Sequence, residues 1–360
     1  MSKYFVCMPL VIFFFASCSK DHPAEKPAEI VTKVLAENLS FPWEILWGPD
    51  DYIWMTERGG QISRVDPNTG SVIPVLDIPD VVNNGEGGLL GMAVHKDSAG
   101  NIYAFVSYCY TKGNQYTEKI VRYTYAGTSL VGPVVMLDDI KASDIHDGSR
   151  IVIYQNRLYI STGDASDQSL PQNSASLNGK VLRLNIDGSI PANNPIPGNP
   201  MWSKGHRNIQ GMVYVGDSLF ASEHGPDSDD EINVISATGN YGWPNVMGPC
   251  NTADEQIFCN ANNVIQPLMS WTPTIAVCGL DYYNNDYIPQ WRNSLLMCTL
   301  KGSKLLQLQL TYSGPQITGS TEFFNNAYGR LRDVCVSPQG KVYICTSNGD
   351  NDKIIEVGKE

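Results

Sequence analysis

The chain has 360 residues, 42% hydrophobic and 17% charged, enough for a large packed core without metals or disulfides as its main support. Its formal net charge of −12 argues against nucleic acid or an anionic membrane surface as the principal partner.

The first 18 residues, MSKYFVCMPLVIFFFASC, set Lys3 ahead of an apolar run from Tyr4 to Ala16. That run is short for a bilayer span and has the layout of a secretory signal. Its ending, FASC, resembles a bacterial lipobox, which would make Cys18 the lipidated first residue of the mature protein. Residues 19–32 are polar and rich in Pro and Glu and read as a tether. The expectation is an exported protein in the bacterial cell envelope, on its periplasmic or surface face, touching membrane only through the lipid on Cys18.

From residue 33 to 360 one unit recurs: a short apolar strand, a Pro/Asp/Gly/Asn turn, an aromatic-rich alternating strand, and a third strand carrying a basic residue. ILWGPDDYIWMTERGGQISRVDPNTG is the first copy, and GMAVHKDSAGNIYAFVSYCY with EKIVRYTYAG the second. RIVIYQNRLYISTGD with GKVLRLNIDGS makes the third, and QGMVYVGDSLFASEHG with DEINVIS the fourth. NSLLMCTLKGSKLLQLQL and RDVCVSPQGKVYICTSNGDNDKIIEVG are the fifth and sixth. Period-two alternation between turn residues is hairpin chemistry, and recurrence every ~45–60 residues signals propeller blades. The prediction is an all-β, six-bladed β-propeller, because a two-domain sandwich gives no reason for six copies. The intervals Asp164–Gly179 and Pro244–Trp291 are expected as inserted loops.

Export permits disulfides. Of the seven cysteines after Cys18, Cys250 and Cys259 bracket NTADEQIF and form the best local pair, and the odd number leaves at least one thiol. No C-x-x-C spacing is present, so neither a zinc site nor a covalent c-type haem is expected.

Propeller loops converge at one end of the channel, so residues far apart in sequence can share a site. In SDIHDGSR, His146 lies in a polar loop beside Asp144 and Asp147, suited to a general base. Asp164 ends the next strand and can orient it. Arg207 and Asn208, in SKGHRNIQG, offer a cation and a hydrogen-bonding amide before the fourth blade. Lys301, Arg330 and Arg332 supply further cations at blade entries, with the two arginines alternating toward one strand face. Together these cations can hold a multiply anionic small ligand. SEHGPDSDDEIN crowds carboxylates against a Gly-Pro turn, a donor set that suits calcium without matching the EF-hand spacing.

GEGGLLGMAVH, GKVLRLNIDGSIPANNP, GHRNIQG, SEHGPDSDDEIN, NYGWPNV, SWTPTIA and GRLRDV occur in one order from Leu39 to near the end. In this ordered set the chain resembles the soluble quinoprotein sugar dehydrogenases, which use pyrroloquinoline quinone (PQQ) to oxidise glucose and other aldoses. The resemblance implies a six-bladed propeller with PQQ and calcium (Ca2+), an aldose substrate oxidised to a lactone, and an external electron acceptor. It assigns His146 as the base, Asp164 as its orienting carboxylate, and Arg207 and Asn208 to the quinone edge, Arg207 stabilising charge as the quinone is reduced. Lys301, Arg330 and Arg332 would hold the PQQ carboxylates, Trp271 would pack on cofactor or substrate, and Glu86 would lie near the quinone. Gly225 and Pro226 would give backbone oxygens to a catalytic calcium, and Glu231 with the Tyr241 backbone would serve a structural one.

Three departures bear on activity. Asp147 stands beside the base where an uncharged residue is expected, and its charge would weaken that base unless it points to solvent. Cys278 replaces a small hydroxyl residue near the expected mouth, and the loops after Ala165 and Pro244 are shorter than in glucose-type enzymes, which favours the aldose type with a more open pocket. The competing readings are a non-catalytic sugar- or protein-binding propeller and a calcium-dependent lactonase-type hydrolase. The first has no need of a base with a full cation set; the second needs several side-chain calcium ligands.

Overall fold

The computed structural model describes residue 1 and residues 27–360, so the expected signal segment, Cys18 and most of the tether lie outside it. The described strands form six four-stranded antiparallel sheets. The inner strand of each sheet touches the inner strands of its neighbours and closes a ring of six blades. These inner strands are Pro42–Trp47, Leu89–Lys96, Gly148–Tyr154, Ile209–Val215, Val277–Tyr283 and Leu331–Val336. The ring is the six-bladed propeller predicted.

Local chemistry explains each blade. In the third, Gly148–Tyr154 turns into Arg157–Thr162 through Gln155 and Asn156, at φ 47° and 56°. Two consecutive positive φ values are what a tight hairpin needs to match the strands' right-handed twist. Apolar faces then meet between blades: Ile151, Leu158, Ile160 and Leu182 of the third pack on Phe105, Ile120 and Ile140 of the second. The last blade takes its outermost strand, Ile30–Ser40, from the start of the propeller, paired with Asp350–Lys359. This pairing fastens the two chain ends of the ring in one sheet, and it begins inside the stretch expected as tether.

Two other expectations are corrected. Each blade has four strands and not the three of the repeat unit, because an outer strand follows that unit or, in the last blade, comes from the chain's start. The interval Pro244–Trp291 holds the outer strand Met269–Trp271 of the fourth blade and the inner strand Val277–Tyr283 of the fifth. It also holds a helix, Ala253–Asn262, begun by a reciprocal Thr252–Glu255 capping box. The Cys250–Cys259 disulfide is formed, and Cys109, Cys278, Cys298, Cys335 and Cys345 are free and buried.

Arg150 plugs the axis. Its guanidinium meets Glu44 at 2.5 Å and Asp333 at 2.9 Å and lies 4.4 Å from the Trp43 ring. Beyond this plug an axial cavity of about 390 Å3, lined by Leu46, Trp47, Met92, Ile153, Tyr214 and Val336, opens toward the far ends of the inner strands.

Candidate active site

The antiparallel order of every blade puts two kinds of loop at one end: those that enter the inner strands, and those that join second to third strands. His146 and Arg207 come from the first kind. Asp164, the Gly225–Pro226 turn and Lys301 come from the second.

His146 sits at φ 66°, left-handed for a non-glycine residue, and its side chain is 15% exposed. The neighbouring chain passes so close that a Cβ on Gly163 would lie 1.6 Å from the His146 carbonyl oxygen. Nδ1 of His146 is 2.9 Å from Oδ1 of buried Asp164. The same carboxylate accepts Trp243 Nε1 at 2.8 Å and the Ser166 amide at 2.8 Å. An Nδ1–H donated to Asp164 leaves Nε2 as the basic nitrogen, the arrangement a general base requires.

The cations gather from several blades. The Arg207 amide donates to Glu223, its Nη1 donates to the His224 carbonyl at 3.3 Å, and its guanidinium lies 5.4 Å from the Trp243 ring. Burial lowers its pKa. Buried Asn208 accepts from the Gly148 amide and from Gln210 Nε2, tying the third blade to the fourth. Buried Arg332 donates to Gln210 Oε1 at 2.8 Å and meets Cys278 Sγ at 3.2 Å. Arg58, stacked 4.5 Å over Phe41, donates to the Gly85 carbonyl. Its pKa falls through burial and then the Arg332 charge, and Glu86 opposes the fall.

Several expected residues sit differently. Arg330 is exposed and joins Asn348 and Ser347 through its backbone, because the strand starts only at Leu331. Lys301 is exposed at a hairpin tip, with Nζ 3.1 Å from Thr274 Oγ1. Glu86 is exposed, its amide donating to the Asp144 carbonyl. Half-buried Trp271 packs on the apolar cluster of Phe220, Ile232, Val277 and Leu306 between the fourth and fifth blades. Cys278 is fully buried beside Arg332 and not at the mouth, because it belongs to an inner strand.

The Asp147 carboxyl does not point to solvent. It is buried, with Oδ1 accepting the Ser143 amide at 2.9 Å and Oδ2 3.7 Å from Cys109 Sγ. Burial, reinforced by the Glu118 carboxyl, pushes its pKa well up, so ionisation there is disfavoured.

Gly225, Pro226, Glu231 and Tyr241, expected at two calcium positions, line one cavity of about 20 Å3 with Glu223 and Asp229. Burial and the Glu223 charge push Glu231 up to about 8. Asp230 is structural instead, taking the Gly225, Ile275 and Ala276 amides. No three His, Cys, Asp or Glu side chains among the described residues converge as a metal cluster, so a cation here would take backbone oxygens for part of its shell. His224 donates Nε2–H to the Val277 carbonyl, and burial holds its pKa down to about 4, leaving it neutral.

Sequence reasoning missed Arg58, Gln210 and Trp243. Arg58 follows the second strand of its blade much as Asp164 and His224 follow theirs, so comparison of equivalent positions across the repeats was the available signal.

Residues 39–356 match the family model described as glucose/sorbosone dehydrogenase. Quinoprotein glucose dehydrogenase B of Acinetobacter calcoaceticus is 33% identical, over 89% of this chain and 86% of that protein. An aldose sugar dehydrogenase of Escherichia coli K12 is 29% identical, over 91% and 92%. Among solved structures, the PQQ-bound aldose sugar dehydrogenase of Streptomyces coelicolor superposes with a TM-score of 0.78 at 33% identity, over 93% of this chain and 99% of that one.

Proposed function

The chain belongs to the glucose/sorbosone dehydrogenase family, and on that premise we propose that it oxidises aldose sugars to lactones with PQQ and calcium, passing electrons to an external acceptor. It is an enzyme of the PQQ-dependent sugar dehydrogenases, and the observation that supports this division of labour is the His146–Asp164 pair beside the cationic groups of the mouth.

The residues present fit an anionic, carbonyl-rich cofactor. Arg58, Arg207, Asn208 and Arg332 each keep one buried donor nitrogen without a partner among the described residues. Unpaired buried donors are costly, and all four favour an acceptor-rich ligand over another donor. On this reading Arg207, Asn208 and Arg332 hold PQQ from within, and Lys301 and Arg330 from the rim. Glu86 and Trp271 border it. The cavity of Glu223, Glu231 and the Gly225–Pro226 carbonyls has the all-oxygen, anionic character that suits calcium.

When bound, the quinone supplies the two-electron acceptor for hydride and calcium the Lewis-acid charge beside it. This chain's part is to move one proton. His146 Nε2 takes it from the anomeric hydroxyl while the substrate loses hydride, and the ring carbon is left as the lactone carbonyl. Asp164 stabilises the imidazolium and fixes its tautomer, and Trp243 keeps Asp164 in place.

The enzyme is also proposed to work in the bacterial envelope, tethered by lipid at Cys18; the layout of residues 1–18 supports this. The test of the reaction uses protein loaded with PQQ and calcium, an artificial dye acceptor and a panel of aldoses. Dye reduction with one lactone formed per two electrons supports the proposal; loading without turnover of any aldose contradicts it.

A further inference from the structure

Two buried acids stand behind the base and take no part in the proton transfer just described. The turn that carries His146 is contorted: His146, Gly148 and Ser149 lie at φ 66°, 70° and 78°. Left-handed backbone at His and Ser persists only where surroundings hold it.

The holds are specific. Asp147 Oδ1 accepts the Ser143 amide and closes the loop on itself, while the Asp147 carbonyl accepts from the Gly163 amide at 3.0 Å. Ser149 Oγ donates to Glu118 Oε1 at 2.7 Å, and the same oxygen accepts from Ser107 Oγ. Glu118 is fully buried in the second blade, and its Oε2 has no partner among the described residues. A carboxyl in that setting, anchored only by hydroxyls from two blades, is an expensive way to fill a core. It ties Ser149, and hence the turn, to Ser107 of the second blade.

We propose that Asp147 and Glu118 are positioning residues for the sugar oxidation, clamping the His146–Ser149 turn so that the imidazole stays aimed at the substrate. The inference rests on the reading of His146 as the base. The clamp works through hydrogen bonds and not through charge. The groups facing Asp147 are Glu118, Cys109, Tyr116 and Glu86; burial raises the Cys109 and Tyr116 pKa values, and Glu118 is itself pushed up to about 7. No cation lies among them, and burial with the Glu118 carboxyl outweighs the Ser143 amide and Cys109 thiol, which favour the ionised form of Asp147.

The test compares Asp147→Ala, Asp147→Asn, Ser149→Ala and His146→Ala as PQQ- and calcium-loaded proteins, following kcat, KM, pH profile and PQQ stoichiometry. A small misplacement of reacting groups costs up to about 100-fold in rate, so Asp147→Ala should lower kcat at least about tenfold with KM and PQQ stoichiometry unchanged. Asp147→Asn keeps an acceptor for the Ser143 amide and should return kcat to within about threefold, with the acid limb of the pH profile unmoved. Ser149→Ala cuts the link to Glu118 with a smaller change and should also lose kcat, which keeps the proposal testable should Asp147→Ala fail to fold. Full kcat in Asp147→Ala or Ser149→Ala overturns it. So does an Asp147→Asn protein as slow as the alanine variant with a displaced acid limb, since Asp147 would then act by its charge. Retained turnover in His146→Ala would instead sink the base assignment, whatever the other variants do.

Discussion

Nδ1 of His146 and Oδ1 of Asp164, eighteen residues apart in sequence, lie 2.9 Å from each other, and Trp243 Nε1 holds the far side of the same carboxylate. An asparagine at 164 could present its amide N–H to Nδ1 and favour the tautomer with its proton on Nε2. Asp164→Asn should therefore lower kcat by about 10²–10⁴ while PQQ still binds stoichiometrically. Steady-state kinetics with a PQQ titration decides it, and wild-type kcat would remove Asp164 from the mechanism.

The two rims of cations should differ in weight. Arg332 is buried and hydrogen-bonded, whereas Lys301 is exposed and screened by solvent. Arg332→Gln should weaken PQQ binding about 100-fold and Lys301→Ala about tenfold or less. Equal losses at both positions would argue against the inner cations as the main holders of the cofactor.

Glu118 gives a pH signature of stability. Burial raises its folded pKa from 4.5 to about 7, so between those values the unfolded chain has released a proton that the folded one keeps. Stability from this group is then fully present below pH ~4.5 and declines as pH rises toward ~7, by roughly 3 kcal/mol in total. Glu118→Gln should abolish that part of the slope, measured as the difference in unfolding free energy between wild type and variant from pH 4 to 8. Parallel pH profiles for the two proteins would show that Glu118 ionises normally.

Cys18→Ser should move the protein from the membrane fraction to the soluble one, because a lipid chain needs that thiol and the first segment is short for a stable span. Fractionation of cells expressing both forms reads this directly; a membrane-bound Cys18→Ser protein would refute lipid anchoring at that residue.

The six blades were legible because each repeats the same strand and turn chemistry. The outer strands and one inner strand were not. Ile30–Ser40 pairs with a partner more than three hundred residues away. Val277–Tyr283 starts within ten residues of a three-residue outer strand, so the two merge into one apparent loop. The pairing of His146 with Asp164 could be read because both stand where loops of neighbouring strands must meet. Trp243 could not, since it reaches Asp164 from a loop 79 residues away. The direction of Asp147 was equally hidden, because successive left-handed residues around it break the strand alternation that assigns side chains to faces.

The most direct measurement is a single-turnover experiment without oxygen or added acceptor. Protein starting after Cys18 is loaded with calcium and PQQ, mixed with glucose or another aldose, and followed by absorbance, with His146→Ala alongside. The account predicts stoichiometric PQQ binding by both proteins and conversion to the reduced-quinone spectrum in wild type alone. Wild-type protein that binds no PQQ, or a His146→Ala protein that reduces it equally fast, would contradict it.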